Sequence, residues 1–170
     1  MPEAKPHWYA KMNEEFAQMA NWLQSPFLLF VRLYWGIQFM QTGWGKLHNL
    51  AHVTDFFTSL GIPAPAMMAH FVAGLEFVGG LLLILGLASR FISLMLVGNM
   101  IVAYYTADRD ALKAFFVSPD TFTAAAPYTF LFASVVILVF GAGALSVDYL
   151  LRHHFAKKHH EALARNAEPA

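Results

Sequence analysis

The residues most able to do chemistry sit where the sequence is least hospitable to them. In AHFVAGLEFVGGLLLILGLASR, residues 69–90, Glu76 lies near the middle of an apolar run long enough to cross a bilayer. The run at 32–47, RLYWGIQFMQTGWGKL, holds Arg32, Gln38, Gln41 and Lys46, and the run at 90–106 holds Asn99 near its centre. A charge at the centre of a spanning helix costs about 2.5–3.5 kcal/mol on insertion scales, so each needs a partner, a cavity or a route to the interface. Glu76 has two readings. It is either half of a buried pair holding helices together or a proton-exchanging, ligand-binding group in a small intramembrane site.

Helical geometry narrows the partners. At 100° per residue, Arg32, Gly36, Gly43 and Lys46 share one face, and Gln38, Gln41, Thr42 and Gly45 another. Ala69, Ala73, Glu76 and Gly80 form one stripe. Small residues let backbones approach, so these stripes are expected to face inward. With spans centred near residues 37 and 76, Arg32 falls about 7–8 Å to the cytoplasmic side of Glu76 and Lys46 about 13–14 Å to the outer side. That depth favours Arg32 as the partner and leaves Lys46 out of reach without tilt or water. Asn99 is a hydrogen-bond partner for Glu76, and Asp148 a counter-ion for Arg32 or Arg90. His48, His52 and His70 can approach one another on the outer side, where His-x3-His is able to hold a metal. Interfacial histidines are common, however, and no metal site is assigned. No nucleophile–base pair or nucleotide-binding glycine loop is present, and the glycines at 79–80 and 141–143 read as helix-packing sites.

The elements that must position these residues are four apolar segments, roughly 27–47, 66–87, 90–106 and 127–150. Pro26, Pro63, Pro65 and Pro127 mark their starts. The chain is 58% hydrophobic and 13% charged, far from the soluble average, which points to an integral membrane protein. Net charge is zero, giving no reason to expect nucleic acid, and the absence of cysteine excludes disulfides and thiolate redox chemistry in this chain. No cleavable signal is visible, so the first span is expected to target the chain. The fold expected is all-α: a four-helix transmembrane bundle over 27–150, an N-terminal amphipathic interfacial segment over 1–26, and a basic tail over 151–170. In the N-terminal segment Trp8, Met12, Phe16, Met19 and Leu23 recur at helical spacing, with Trp8, Tyr9 and Trp22 as interfacial anchors. Packing of this stripe against a partner is an equal alternative. The 108–126 connection is expected to hold a short helix with Leu112, Phe115 and Phe116 toward the bilayer, and HHFAKKHH at 153–160 to meet lipid headgroups. Lys5, Lys11, Arg90, Arg152, Lys157, Lys158 and Arg165 lie on one side, Lys46, Arg109 and Lys113 on the other. The positive-inside rule then places both termini in the cytoplasm of a multi-pass bacterial inner-membrane protein.

The motifs RLYWGIQFMQTGWGKL, LGIPAP at 60–65, GLEFVGGLLLILGLASR at 74–90 and GAGALSVD at 141–148 together resemble the DoxX family of small bacterial membrane proteins. The resemblance runs from about residue 27 to 150 and picks out Arg32, Gly36, Gly43, Lys46, Gly61, Pro63, Glu76, Gly80, Arg90, Gly143 and Asp148. It implies a four-helix membrane bundle and association with membrane oxidoreductases and quinones. The leading expectation is a quinone-associated subunit of a membrane oxidoreductase, taking electrons from a partner protein. Glu76 would be its catalytic proton relay and Arg32, Gln38, Gln41, Lys46 and Asn99 would bind the ligand. Trp35, Phe39, Trp44 and Phe77 would stack on the ring, and Arg32, Arg90 and Asp148 would form structural ion pairs. The competing expectation is a non-catalytic membrane anchor or scaffold for a soluble oxidoreductase or metal-handling enzyme. A small-solute transporter is a third class, disfavoured because no inverted repeat is evident. Nothing in the pattern fixes an oligomeric state.

Overall fold

The computed structural model describes residues 7–155. Every regular element among them is helical: α1 (His7–His48), α2 (Leu50–Ser59), α3 (Pro65–Leu85), α4 (Ser89–Thr106), α5 (Arg109–Lys113), a 3-10 turn at Ala114–Phe116, α6 (Pro119–Ala124) and α7 (Pro127–Phe140). The chain is helical again over 147–155. The side chains of Trp8 and Tyr9, and the basic residues Lys5, Lys157, Lys158 and Arg165, lie outside the described residues, as does most of HHFAKKHH.

Two boundaries differ from the sequence reading. The helix expected to begin after Pro26 does not; α1 runs unbroken through that proline for 42 residues. Proline removes one intrahelical donor and costs about 3 kcal/mol in a helix interior, so surrounding packing must outweigh it. Leu28, buried at the next turn, supplies part of that packing. The last apolar helix, expected to reach residue 150, stops at Phe140. Gly141 and Gly143 take φ of +81° and +75°, a conformation only glycine adopts without strain, so these glycines break the helix rather than pack inside it.

Four long helices close a ring, with α1 along α3, α3 beside α4, α4 against α7, and α7 back on α1. Val31, Phe39, Leu83, Leu96, Ile137 and Met100 form its apolar centre. Among the described residues only α3 is by itself long and apolar enough to cross a membrane. The helix α4 reaches that standard only with the 109–116 segment, from which it bends by 95°, and α7 is apolar but short. The charges and amides of α1 keep it from qualifying.

The contact between α1 and α3 sets the depth of every polar group. A methyl built on Gly80 would lie 2.5 Å from Gly36 O and from Met40 N, and one on Gly36 would lie 3.0 Å from Gly80 O. At Gly43 a methyl would overlap the backbone of Ala73 and Phe77. The two backbones therefore touch, and residues 36–43 run antiparallel to 73–80 in a fixed register.

Candidate functional site

That register brings Glu76 level with about residue 42 of α1, so Lys46 stands only about one turn away. Lys46 Nζ donates to Glu76 Oε2. Asn99 Nδ2, from α4, donates to Glu76 Oε1 at 3.1 Å, as the sequence suggested. Glu76 is 3% exposed, whereas the Lys46 side chain keeps 31% of its surface, so the carboxylate is sealed in while the ammonium reaches outward. A buried pair is worth keeping only when its remaining polar atoms are satisfied, and Asn99 satisfies the second carboxylate oxygen.

These three groups line one side of a cavity of about 400 Å³. Phe39 of α1, Met68 of α3, Met100 of α4 and Phe130 of α7 give it apolar walls, and Phe56 and Phe57 of α2 complete them. Thr42, Thr106 and Asp108 add further polar groups. The volume is within the range of about 300–1,000 Å³ typical of small-molecule sites, and an apolar chamber with a few convergent polar groups is their usual form.

The expected pairing of Arg32 with Glu76 is not formed. Equal centring of the two spans misjudged the offset by about a turn and a half; the glycine contacts slide α1 so that Lys46, not Arg32, meets the carboxylate. Arg32, in the middle of α1, is fully buried beside the C-terminal end of α3, where its Nη2 donates to Leu145 O at 2.5 Å. Its guanidinium lies against Gly86, whose φ of +69° ends α3; a methyl there would overlap Arg32. Asp148 makes no salt bridge with Arg32 or Arg90 either. Its two carboxylate oxygens accept from Ala88 N at 2.8 Å and Ser89 N at 2.9 Å, and its own N–H donates to Gly86 O at 2.9 Å. A side-chain acceptor on the first N–H groups of a helix is an N-cap reached from a distant part of the chain. It also holds Ala88 in the left-handed conformation, at φ +49°. Arg90 Nη2 donates to Val139 O at 3.3 Å.

Gln38 and Gln41 do not line the cavity, and Gln41 is exposed. Trp44 stacks near His48 and Phe77, away from the cavity walls, while Trp35 packs against the core; of the four aromatics expected to meet a ring, only Phe39 lines the chamber. His48 and His70 each turn Nδ1 to a carbonyl of their own helix, Trp44 O at 2.9 Å and Ala66 O at 2.8 Å. Among the described residues no group of three His, Cys, Asp or Glu is arranged to hold a metal ion. Sequence reasoning missed α2 as a cavity wall. The pattern FF at 56–57 beside LGI at 60–62 was its only signal.

The DoxX family profile matches residues 27–109, from the body of α1 to the start of α5. A protein of Bacillus subtilis (strain 168) named "Putative oxidoreductase CatD" is 31% identical over 120 residues, spanning 71% of this chain and 83% of that protein. The chain belongs to the DoxX family. The matched range of this DoxX protein contains Arg32, Lys46, Glu76 and Asn99, so the Lys46–Glu76–Asn99 set is inside it. The GAGALSVD motif with Asp148 follows beyond its end. No solved structure matches the chain.

Proposed function

We propose that this DoxX protein is a multi-pass inner-membrane protein with both termini in the cytoplasm, and that its cavity receives a quinone as part of a membrane oxidoreductase system. The membrane reading is supported by a surface reversed from that of a soluble bundle. Phe30, Phe71, Phe91, Phe132 and Val139 all point outward and stay more than half exposed, while Arg32 and Glu76 are inside. In this reading α1, α3, α4 and α7 are the four membrane helices, with the polar groups of α1 turned toward the bundle at Arg32 and Lys46.

The single observation that carries the quinone reading is the Lys46–Glu76–Asn99 set opening on a largely apolar chamber. A bound quinone supplies two-electron, two-proton chemistry, with the electrons coming from a partner oxidoreductase. Lys46 and Asn99 offer N–H donors to a carbonyl oxygen at the polar wall, and the apolar walls take the ring. Lys46 passes a proton to Glu76 Oε2 along their hydrogen bond, Glu76 hands it to the carbonyl oxygen, and the exposed end of Lys46 takes up the proton that serves the second transfer. The oxidoreductase name of the Bacillus subtilis relative agrees with redox chemistry.

Solvent extraction and mass spectrometry of the purified protein test this. Near-stoichiometric quinone is expected in the wild type and a loss of at least tenfold in a folded Glu76→Gln variant. No quinone in either folded protein would leave the scaffold reading, for which one observation speaks: Met12, Phe16, Met19 and Leu23 of α1 stand exposed beyond the helix ring.

A further inference from the structure

At the end of the molecule opposite the cavity, a groove of about 440 Å³ runs between the start of α4, the end of α7 and the 147–155 helix. Arg90, Arg152 and His153 line it, together with Phe140, Ala142, Gly143 and Tyr149. Among the described residues no acidic side chain does. Asp148, on the same helix as Arg152, turns both carboxylate oxygens to Ala88 N and Ser89 N and makes no salt bridge with Arg90 or Arg152. The bare Gly141 lets Arg90 lie close, since a methyl there would stand 3.3 Å from its Nε. Two guanidinium groups and an imidazole, from two separate helices, thus converge on one recess in which the described residues place no acidic side chain.

Beside the recess the surface is apolar. Phe91 and Leu94 on α4, and Val139 and Phe140 on α7, are each more than half exposed along the two packed helices that lead away from it. We infer that this groove binds the phosphate of an anionic phospholipid, whose acyl chains lie along the exposed wall of α4 and α7. A phosphate takes charge-assisted hydrogen bonds from guanidinium groups. An inorganic phosphate needs no apolar track; a phospholipid does. The site rests on the membrane reading above and not on the quinone reading. It falls on the basic side assigned to the cytoplasm, where anionic headgroups meet Lys and Arg clusters.

The full chain, purified in detergent, would be titrated with phosphatidylglycerol, phosphatidylcholine and inorganic phosphate, with binding counted by native mass spectrometry. One phosphatidylglycerol per chain is expected at saturation, with phosphatidylcholine at least tenfold weaker. Arg152→Gln should weaken phosphatidylglycerol by about fivefold and Arg90→Gln/Arg152→Gln by about twenty-five-fold, while Lys113→Gln at the other end changes nothing. Should the double variant fail to fold, because Arg90 also holds Val139 O, the Arg152→Gln comparison stands alone. Equal binding of the two lipids, or an Arg152→Gln variant indistinguishable from wild type, would overturn the site. Inorganic phosphate displacing the lipid at equal concentration would reassign the groove to a soluble phosphate and overturn the lipid. Recovery of the chain in the soluble fraction rather than in washed membranes would sink the membrane reading instead, and is read out separately.

Discussion

Removing the ammonium of Lys46 should cost more stability than neutralising the carboxylate it meets. In Lys46→Met, Glu76 stays 3% exposed with Asn99 as its one remaining partner, at 3.1 Å. Breaking a fully buried pair costs about 3–5 kcal/mol. Because the Lys46 side chain keeps 31% of its surface, the bottom of that range applies, about 3 kcal/mol. In Glu76→Gln the amide oxygen still accepts from Asn99, and Lys46 turns toward the exposed rim, so the loss is that of one hydrogen bond, about 1 kcal/mol. The double variant sets a methionine against a neutral amide and should cost little more than Glu76→Gln alone. The coupling energy is then about 2–3 kcal/mol. Reversible denaturant titration in detergent micelles, read by tryptophan fluorescence, measures all four proteins of the cycle. Additive losses, or a Lys46→Met penalty no larger than that of Glu76→Gln, would refute the buried pair.

The glycine register predicts a contrast: Gly80→Ala should destabilise by about 1–3 kcal/mol, because its methyl meets backbone atoms that cannot move aside. Gly45→Ala and Gly74→Ala, with open space around them, should be neutral or stabilising by about 0.5–1 kcal/mol in the same thermal-unfolding series. Asp148→Ala should cost about 1–2 kcal/mol through loss of the α4 cap, and Asp148→Asn about half that, since one carbonyl oxygen remains to accept. Asn99→Leu should lower the bound quinone several-fold, while Gln41→Ala, exposed and off the cavity, should leave it unchanged.

Composition and periodicity were enough to read an all-helical chain, and α3 and α4 lie within a residue or two of the expected 66–87 and 90–106. The stripes of Gly36 with Gly43 and of Ala73 with Gly80 do face inward and bring the α1 and α3 backbones into contact, whereas the Gln38, Gln41, Thr42 and Gly45 face does not, Gln41, Thr42 and Gly45 being exposed. What periodicity does not carry is relative sliding. A wheel gives the face on which Glu76 lies but no depth, and depth depended on which glycines of α1 meet which residues of α3. That is why Arg32 was favoured over Lys46. The end of α7 was hidden for a related reason, since GAG inside an apolar run reads equally as a packing surface or as a break. Positive φ at Gly141 and Gly143 decides it, and φ is a property of the folded loop lying against Ser25 and Leu28 of α1. Pro26 misled in the opposite direction, because tertiary contacts carried a helix through a residue that by itself ends one.

The proposed quinone sits in the chamber walled by Phe39, Met100 and Phe130, with Glu76 at its polar side. Photoaffinity labelling of the purified chain with an azidoquinone, followed by peptide mapping, tests it directly. Label is expected on α1 around Phe39–Lys46, on α4 around Asn99–Ala103 and on α7 near Phe130, suppressed by excess unlabelled quinone and by Glu76→Gln. Label confined to the outward-facing aromatics such as Phe30, Phe91 and Phe132, unaffected by Glu76→Gln, would contradict it.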